Sequence, residues 1–186
     1  MSYKINIVKQ EDYPEKLKNI KSSPKKLYTI GNIELLYKDS FAIIGTRKIT
    51  DYGKKNCEYF SREFSYRKIP IVSGMALGTD SVSHITAIEY NSYTIAVLGS
   101  GFNYIYPEEN KALFDNIIEN NGLVITEYEE NIRPNKQNFP KRNRIISALS
   151  EGVLVIEAAY RSGTSITAKL ALRQGKKVFA VPRENR

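Results

Sequence analysis

Ile71-Val-Ser-Gly-Met-Ala-Leu-Gly78 decides how this chain folds. An apolar run without period-two alternation breaks into Ser and Gly, and Thr79 and Asp80 then open a helical pattern. A run of that kind suits a parallel strand covered on both faces. Four further stretches repeat the plan: Ala42-Ile-Ile-Gly-Thr-Arg47, Ile95-Ala-Val-Leu-Gly-Ser-Gly101, Leu123-Val-Ile-Thr-Glu127 and Val153-Leu-Val-Ile-Glu157, the last followed by Ser162-Gly-Thr-Ser165. The pattern predicts strands at 41–45, 69–73, 93–98, 123–126, 153–157 and 177–181. It predicts helices at about 51–67, 79–90, 109–121, 141–150 and 164–174. Strict strand–helix alternation gives an α/β fold with a doubly wound, mostly parallel sheet. In such a sheet ligands bind outside the carboxyl ends of the strands, so all five Gly-rich or polar ends converge on one edge. Glycine lets backbone N–H groups approach an anion, and the following helix N-termini add positive partial charge. That edge is expected to hold phosphates.

Length and charge bound the rest. The 186 residues suit one domain: a core over 41–186 and a Lys-rich, irregular lead-in over 1–40 that packs on it. Twenty-eight Lys and Arg against 20 Asp and Glu leave a net charge of +8, which favours an anionic partner. One cysteine, Cys57, excludes an internal disulfide and a thiolate metal site, and one histidine, His84, excludes a multi-histidine zinc site. No metal and no cofactor are expected. The start lacks a signal-peptide apolar region, and no apolar run approaches the ~20 residues of a membrane helix. A cytoplasmic protein without a membrane partner is the expectation.

Each strand end offers candidate residues. At Gly45-Thr46-Arg47 the guanidinium fork matches a phosphate in two-point contact, and Thr50 or Asp51 caps the next helix. Ser73, Gly74 and the amides after them suit an anion nest, with Met75 in the same turn. His84 stands four residues after Asp80 on one helix face, which suits a structural hydrogen bond better than catalysis, since no nucleophile accompanies it. Gly99-Ser-Gly101 is neither a dinucleotide fingerprint nor a phosphate-binding P-loop. Tyr104 and Tyr106 suit either base-stacking platforms or a packing lid. Arg133 to Arg144 holds five basic residues and no acid, with Phe139 among them. Basic residues around an aromatic suit a groove that tracks a nucleic-acid backbone. Lys141, Arg142 and Arg144, with Asn143, fall at the start of the predicted helix 141–150, where cations oppose the helix dipole and a bound anion would relieve them. Ser162, Gly163 and Thr164 open the last helix as a phosphate pocket, an N-cap, or both.

Taken in order, these motifs resemble the DNA-processing protein A family (DprA, also called Smf). They are Gly-Thr-Arg, Ser-Gly-Met-Ala-Leu-Gly-x-Asp-x-x-x-His, Leu-Gly-x-Gly, Tyr-Pro-x-x-Asn, Phe-Pro-x-Arg-Asn-Arg-Ile-Ile-Ser, Val-x-Glu-Ala and Ser-Gly-Thr-x-x-Thr-Ala. The resemblance extends from about Tyr13 to Pro182 and takes in the lead-in motifs Tyr13-Pro-x-x-Leu17 and Leu27-Tyr28-x-x-Gly31. It implies a Rossmann-like domain that binds single-stranded DNA, protects it during natural transformation, loads the RecA recombinase and works as a homodimer without catalysis. It implies that Arg47, the Ser73–Gly74 turn, Lys141, Arg142 and Arg144 face DNA phosphates. Many members carry a helical domain before the lead-in and a winged-helix-like domain after the sheet, and this sequence matches neither.

A competing expectation is a nucleotide sensor, or a phosphoribohydrolase-like enzyme, using the same crevice. The signature of the hydrolases, Pro-Gly-Gly-x-Gly-Thr-x-x-Glu, ends in a carboxylate where this chain has Thr167, which argues against the enzyme. Glu157 is the nearest substitute.

Overall fold

The computed structural model describes residues 3–159 and 162–182. The core strands β3 (Ser40–Ile44), β4 (Ile71–Ser73), β5 (Thr94–Val97), β6 (Leu123–Thr126), β7 (Ser150–Val155) and β8 (Lys177–Ala180) alternate with helices. The helices are α2 (Asp51–Tyr66), α3 (Thr79–Glu89), α4 (Lys111–Glu119), α5 (Asn138–Leu149) and α6 (Gly163–Arg173). All pairings among these strands are parallel. The sheet therefore presents one carboxyl edge, and its chain order reverses between β3 and β7.

Residues 1–40 are more regular than their sequence suggests. They supply β1 (Asn6–Lys9), the short helix α1 (Glu15–Lys18) and β2 (Lys26–Gly31). β2 pairs antiparallel with β6, with Ile30 opposite Val124, and β1 pairs antiparallel with β2. The result is one eight-stranded sheet in the order β1-β2-β6-β5-β4-β3-β7-β8. Lysines at the ends of both short strands masked the signal, because they read as loop charges. Pairing with an open edge of the sheet overrides such weak local preference.

Alternate side chains of the strands feed opposite faces. Ala42, Ile44, Val72, Ile95, Val97, Leu123 and Ile125 join Leu17 of α1, Ile145, Ile146 and Leu149 of α5 and Ala171 of α6. On the other face Ala96 and Val124 meet Leu113, Phe114 and Ile117 of α4. Ile43 and Ile71 meet Cys57 of α2 and Ala87 of α3 there as well. The doubly wound, mostly parallel architecture is thus as expected.

Boundaries moved where polar residues hid an element. α5 begins at Asn138, a turn earlier than predicted, with Pro140 in its first turn, where a missing N–H costs nothing. β7 starts at Ser150, directly after α5, although Ser150-Glu151-Gly152 reads as a turn. Ser150 faces Ser40 in the register, and the Ser40 hydroxyl donates to the Leu149 carbonyl (2.7 Å), so the polar pair is satisfied inside the sheet.

Candidate functional site

At the carboxyl edge the turns after β3, β4 and β5 meet under the N-terminal turn of α5. The pocket there is lined by Arg47, Gly74, Leu77, Tyr106, Phe139 and Arg142, among others. Its floor is rigid. The predicted anion nest at Ser73–Gly74 exists, but the protein's own carboxylate fills it: Gly74 and Ala76 donate their N–H groups to Asp80 Oδ2 (3.1 and 3.3 Å). The Ser73 hydroxyl donates to the Ile43 carbonyl (2.7 Å). Met75 is fully buried and packs with Leu98 and Phe114. The Gly101 N–H is spent on the Ile132 carbonyl (2.8 Å).

Two glycines hold the floor to the helix above it. A Cβ on Gly74 would lie 2.7 Å from Arg142 Nη2 and 2.8 Å from Asp80 Oδ2. A Cβ on Gly99 would lie 2.7 Å from the Phe139 ring. These positions admit side chains of α5 where a phosphate was expected.

The earlier start of α5 changes the meaning of its cations. Lys141, Arg142 and Arg144 lie beyond the first turn, and carboxylates of the chain balance them. Arg142 is 5% exposed. Its Nη1 donates to the carbonyls of Gly74 (2.7 Å) and Val97, and its Nε donates to Asn143 Oδ1 (3.1 Å). Burial pulls its pKa down to about 10, Asp80 opposes the shift, and Arg47 adds to it. Burial pushes the Asp80 carboxyl up, against the Arg142 charge and the two amides.

Arg144 is 7% exposed and grips Glu127 with both arms, at 2.7 and 2.8 Å. Its Nε donates to the Ser22 carbonyl (2.9 Å), which ties the lead-in to α5. Lys141, on the surface, reaches the same carboxylate at 3.2 Å. Burial raises Glu127, but the Arg144 hydrogen bonds and charge, with Lys141, outweigh it and hold the carboxyl below its ordinary value. Burial, then the Glu127 charge, pushes Tyr128 up to about 12. The expectation that Arg142 and Arg144 point at phosphates thus meets a different arrangement: both guanidiniums face inward, onto protein acceptors. Asn143 is also buried, and its Nδ2 donates to the Gly163 carbonyl (3.4 Å).

The outward surface is made by other groups. Arg47 is exposed, with its guanidinium 5.8 Å from the centre of the Phe139 ring. The Tyr106 ring lies 5.4 Å from the Phe139 ring, and Tyr106 is 44% exposed. Leu77 is also exposed. Arg142 sits 6.0 Å from the Phe139 ring centre, so two cations flank one aromatic. Tyr106 thus belongs to the site, while the sequence left its role open. Leu77 and Glu127 were not singled out as ligand-facing or supporting residues, because nothing local distinguishes an ordinary Leu or Glu, and Asp80 was expected to bond His84 where it instead accepts from Gly74 and Ala76.

Ser162 is the N-cap of α6, accepting from the Ser165 N–H (3.4 Å), and Gly163 follows it at the surface. Thr164 donates to the Gly45 carbonyl (2.8 Å), and the Thr46 carbonyl accepts the Thr79 N–H (3.1 Å). A separate and larger cleft, about 770 Å³, opens between the ends of β3 and β7 and is lined by Thr46, Thr50, Asp51 and Glu157, among others. Glu157 accepts both the Thr50 N–H (3.0 Å) and the Thr50 hydroxyl, while Thr50 caps α2 by accepting from the Gly53 N–H. The two carboxylates make this cleft a poorer phosphate site than the smaller Arg47–Phe139 pocket.

His84 and Cys57 are buried and hydrogen-bonded within the protein. His84 is buried, and its Nδ1 lies 2.6 Å from the Thr94 hydroxyl, not against Asp80. Thr94 gives its single proton to the Ile71 carbonyl (2.9 Å), so His84 Nδ1 is the donor. Burial, then the Arg142 charge, lowers the imidazole to about 3, which keeps it neutral. Burial pushes the Cys57 thiol up to about 12, and its Sγ donates to the Thr79 carbonyl. Among the described residues no group of three or more His, Cys, Asp or Glu could hold a metal, and no helix is long and apolar enough to cross a membrane.

Comparison with known proteins gives one answer. The family described as DNA recombination-mediator protein A matches residues 4–186. The DNA processing protein DprA of Bacillus subtilis (strain 168) is 42% identical over 176 residues, covering 94% of this chain and 59% of its own length. Protein Smf of Escherichia coli (strain K12) is 41% identical over 172 residues, covering 92% and 46%. The chain spans about half the length of these two relatives. Among solved structures, DNA processing protein A from Streptococcus pneumoniae superposes with a TM-score of 0.91 at 38% identity, covering 97% of this chain and 64% of its own. That from Helicobacter pylori superposes with a TM-score of 0.90 at 34% identity, covering 98% and 82%. The molybdenum cofactor binding protein of Rippkaea orientalis, at 17% identity and a TM-score of 0.57, shares the fold alone.

Proposed function

Because the chain belongs to the DNA recombination-mediator protein A family, we propose that it binds single-stranded DNA at the Arg47–Phe139–Tyr106 face. The carrying observation is the half-buried Phe139 ring held between Arg47 and Arg142, with Tyr106 beside it at the surface. A base stacks on such a ring whatever its sequence, and an exposed guanidinium takes the adjoining phosphate. The Helicobacter pylori relative is a DNA processing protein A with a single-stranded DNA binding mode, which supports this reading. Arg47, Phe139 and Lys141 contact the strand. Gly45, Thr46, Ser73, Gly74, Met75, Gly99, Gly101, Arg142, Asn143 and Arg144 shape and support the contact surface, and Ser162, Gly163 and Thr164 extend it.

The wider role is DNA processing without catalysis: protecting the strand, presenting it to the RecA recombinase in natural transformation, and acting as a cytoplasmic homodimer. Within it, residues 1–40 serve as the lead-in that braces the 41–186 binding core through Ser22 and Arg144. Anisotropy of fluorescent oligo-dT and of the matching duplex, over a salt series, tests the proposal. Preferential single-strand binding with a negative log–log salt slope of about 0.7 per phosphate contact is expected. Equal or absent binding of both at low salt overturns it. The size of the Glu157 cleft, about 770 Å³ and within the range for small ligands, together with Lys48 in its lining, favours one alternative, a small-nucleotide site. Release of a base from a mononucleotide, abolished in Glu157→Gln, would establish that reading instead.

A further inference from the structure

The Phe139 face continues into a second pairing of the same two chain segments. Arg133 lies six residues before Phe139, and Tyr104 lies two before Tyr106. The Arg133 guanidinium sits 4.9 Å from the centre of the Tyr104 ring, as the Tyr106 ring sits 5.4 Å from Phe139. The two pairs are successive rungs between adjacent loops. The loops are stapled below them: Gly101 N–H donates to the Ile132 carbonyl (2.8 Å), Asn103 N–H to the Glu130 carbonyl (3.0 Å), and Asn103 Nδ2 to Asn131 Oδ1 (2.8 Å). Tyr104 is fixed from its own side, since the Ser100 hydroxyl donates to its carbonyl (2.7 Å) and its N–H donates to the Gly101 carbonyl (3.1 Å). The ring is half-buried and the guanidinium that covers it is exposed. One residue, Ile105, separates Tyr104 from Tyr106, so their Cα atoms lie at most about 7 Å apart even if the chain is fully extended.

The geometry points to a second base-stacking subsite for the single strand on the Tyr104–Arg133 rung, next along the path from Phe139. A base lies on the flat Arg133 guanidinium, which Tyr104 holds in place from beneath. Lys136, exposed and between Arg133 and Phe139 in sequence, meets a phosphate between the two bases. The inference rests on the proposed DNA-binding face and extends it by one subsite.

A mononucleotide, thymidine 5′-phosphate, and oligo-dT of about 16 nucleotides separate the subsites, because the two stacked bases are neighbours and any short oligomer would reach both. Tyr104→Ala and Arg133→Ala are each expected to weaken the oligomer about tenfold and leave the mononucleotide, held at Phe139, unchanged. Tyr104→Phe keeps wild-type affinity, because the stack needs the ring and not the hydroxyl. Phe139→Ala and Arg47→Ala weaken both ligands. The subsite is overturned if Tyr104→Ala binds the oligomer as the wild type does while Phe139→Ala weakens it. It is also overturned if Tyr104→Ala weakens both ligands equally, which would mean that Tyr104 acts only by holding Tyr106. If Phe139→Ala and Arg47→Ala leave both ligands unchanged, the face itself is misassigned and the subsite falls with it.

Discussion

Arg47 and the two arginines of α5 carry the same chemistry on paper and face opposite ways. Phe139, at the start of α5, is open beside the exposed Arg47, whereas Arg142 and Arg144, three and five residues later, are turned into the protein. A buried cation whose donors are taken by internal acceptors is not available to a ligand. Arg142 is claimed by the Gly74 and Val97 carbonyls and Arg144 by Glu127. The inner arginines brace the platform, and the outer residues form it.

Mutation can break that contrast, and the largest effect belongs to the inner arginines. Arg144→Ala leaves the Glu127 carboxylate, which is 8% exposed, to the surface Lys141 alone, and is expected to cost about 3 kcal/mol of folding stability, the low end of the range for breaking a buried pair. Urea denaturation reads this directly. A loss under about 1 kcal/mol would show Arg144 to be a surface cation after all. The outer residues should show the reverse. Phe139→Ala is expected to cost about 1–3 kcal/mol in oligo-dT affinity, the range for one base–aromatic stack, with a smaller change in urea midpoint.

Arg47→Ala sharpens the comparison further. It should weaken oligo-dT binding about tenfold, or about 1.4 kcal/mol, and shallow the log–log salt slope by about 0.7 while stability stays near wild type. An unchanged slope would remove Arg47 from the phosphate path.

The smallest effect is a pH dependence of the buried side. His84 titrates at its ordinary 6.5 when unfolded but at about 3 when folded. Between those values the unfolded chain binds a proton that the folded chain refuses, so stability is full above 6.5 and falls as pH drops through that window. At pH 6 the loss is under about 1 kcal/mol, and His84→Gln should flatten the profile. Glu127 is held below its ordinary 4.5, so its contribution disappears only in stronger acid, as pH falls through its lowered pKa.

Much of this was legible from residue order. The apolar runs and their Gly-rich ends gave the six core strands, the parallel sheet and the edge where the site lies, because burial on both faces writes a continuous apolar signature. The caps of α2 and α6 were readable to within two residues, Thr50 or Asp51 and Ser162 or Thr164, because capping is a local side chain–backbone bond, and the structure selects Thr50 and Ser162. Arg47 and Phe139 were each singled out from the sequence, in separate segments, and only the fold brings the Arg47 guanidinium to 5.8 Å from the Phe139 ring centre. β1 and β2 were not, since their strand identity comes from pairing with β6 and not from their own residues. The partner of His84 was not either: Asp80 is four residues away and Thr94 lies on another element, and only packing chose between them.

Sequence by itself therefore determined the fold class, the family and the edge at which the Gly-rich strand ends gather, all of which follow from local pattern and motif order. Tertiary structure alone decided which cations of that edge stay exposed and which turn inward. The role of an arginine depends on whether a carbonyl or carboxylate from a distant strand reaches it before solvent does. For Arg142 those acceptors come from residues 68 and 45 positions away, a separation that no local reading of the chain spans.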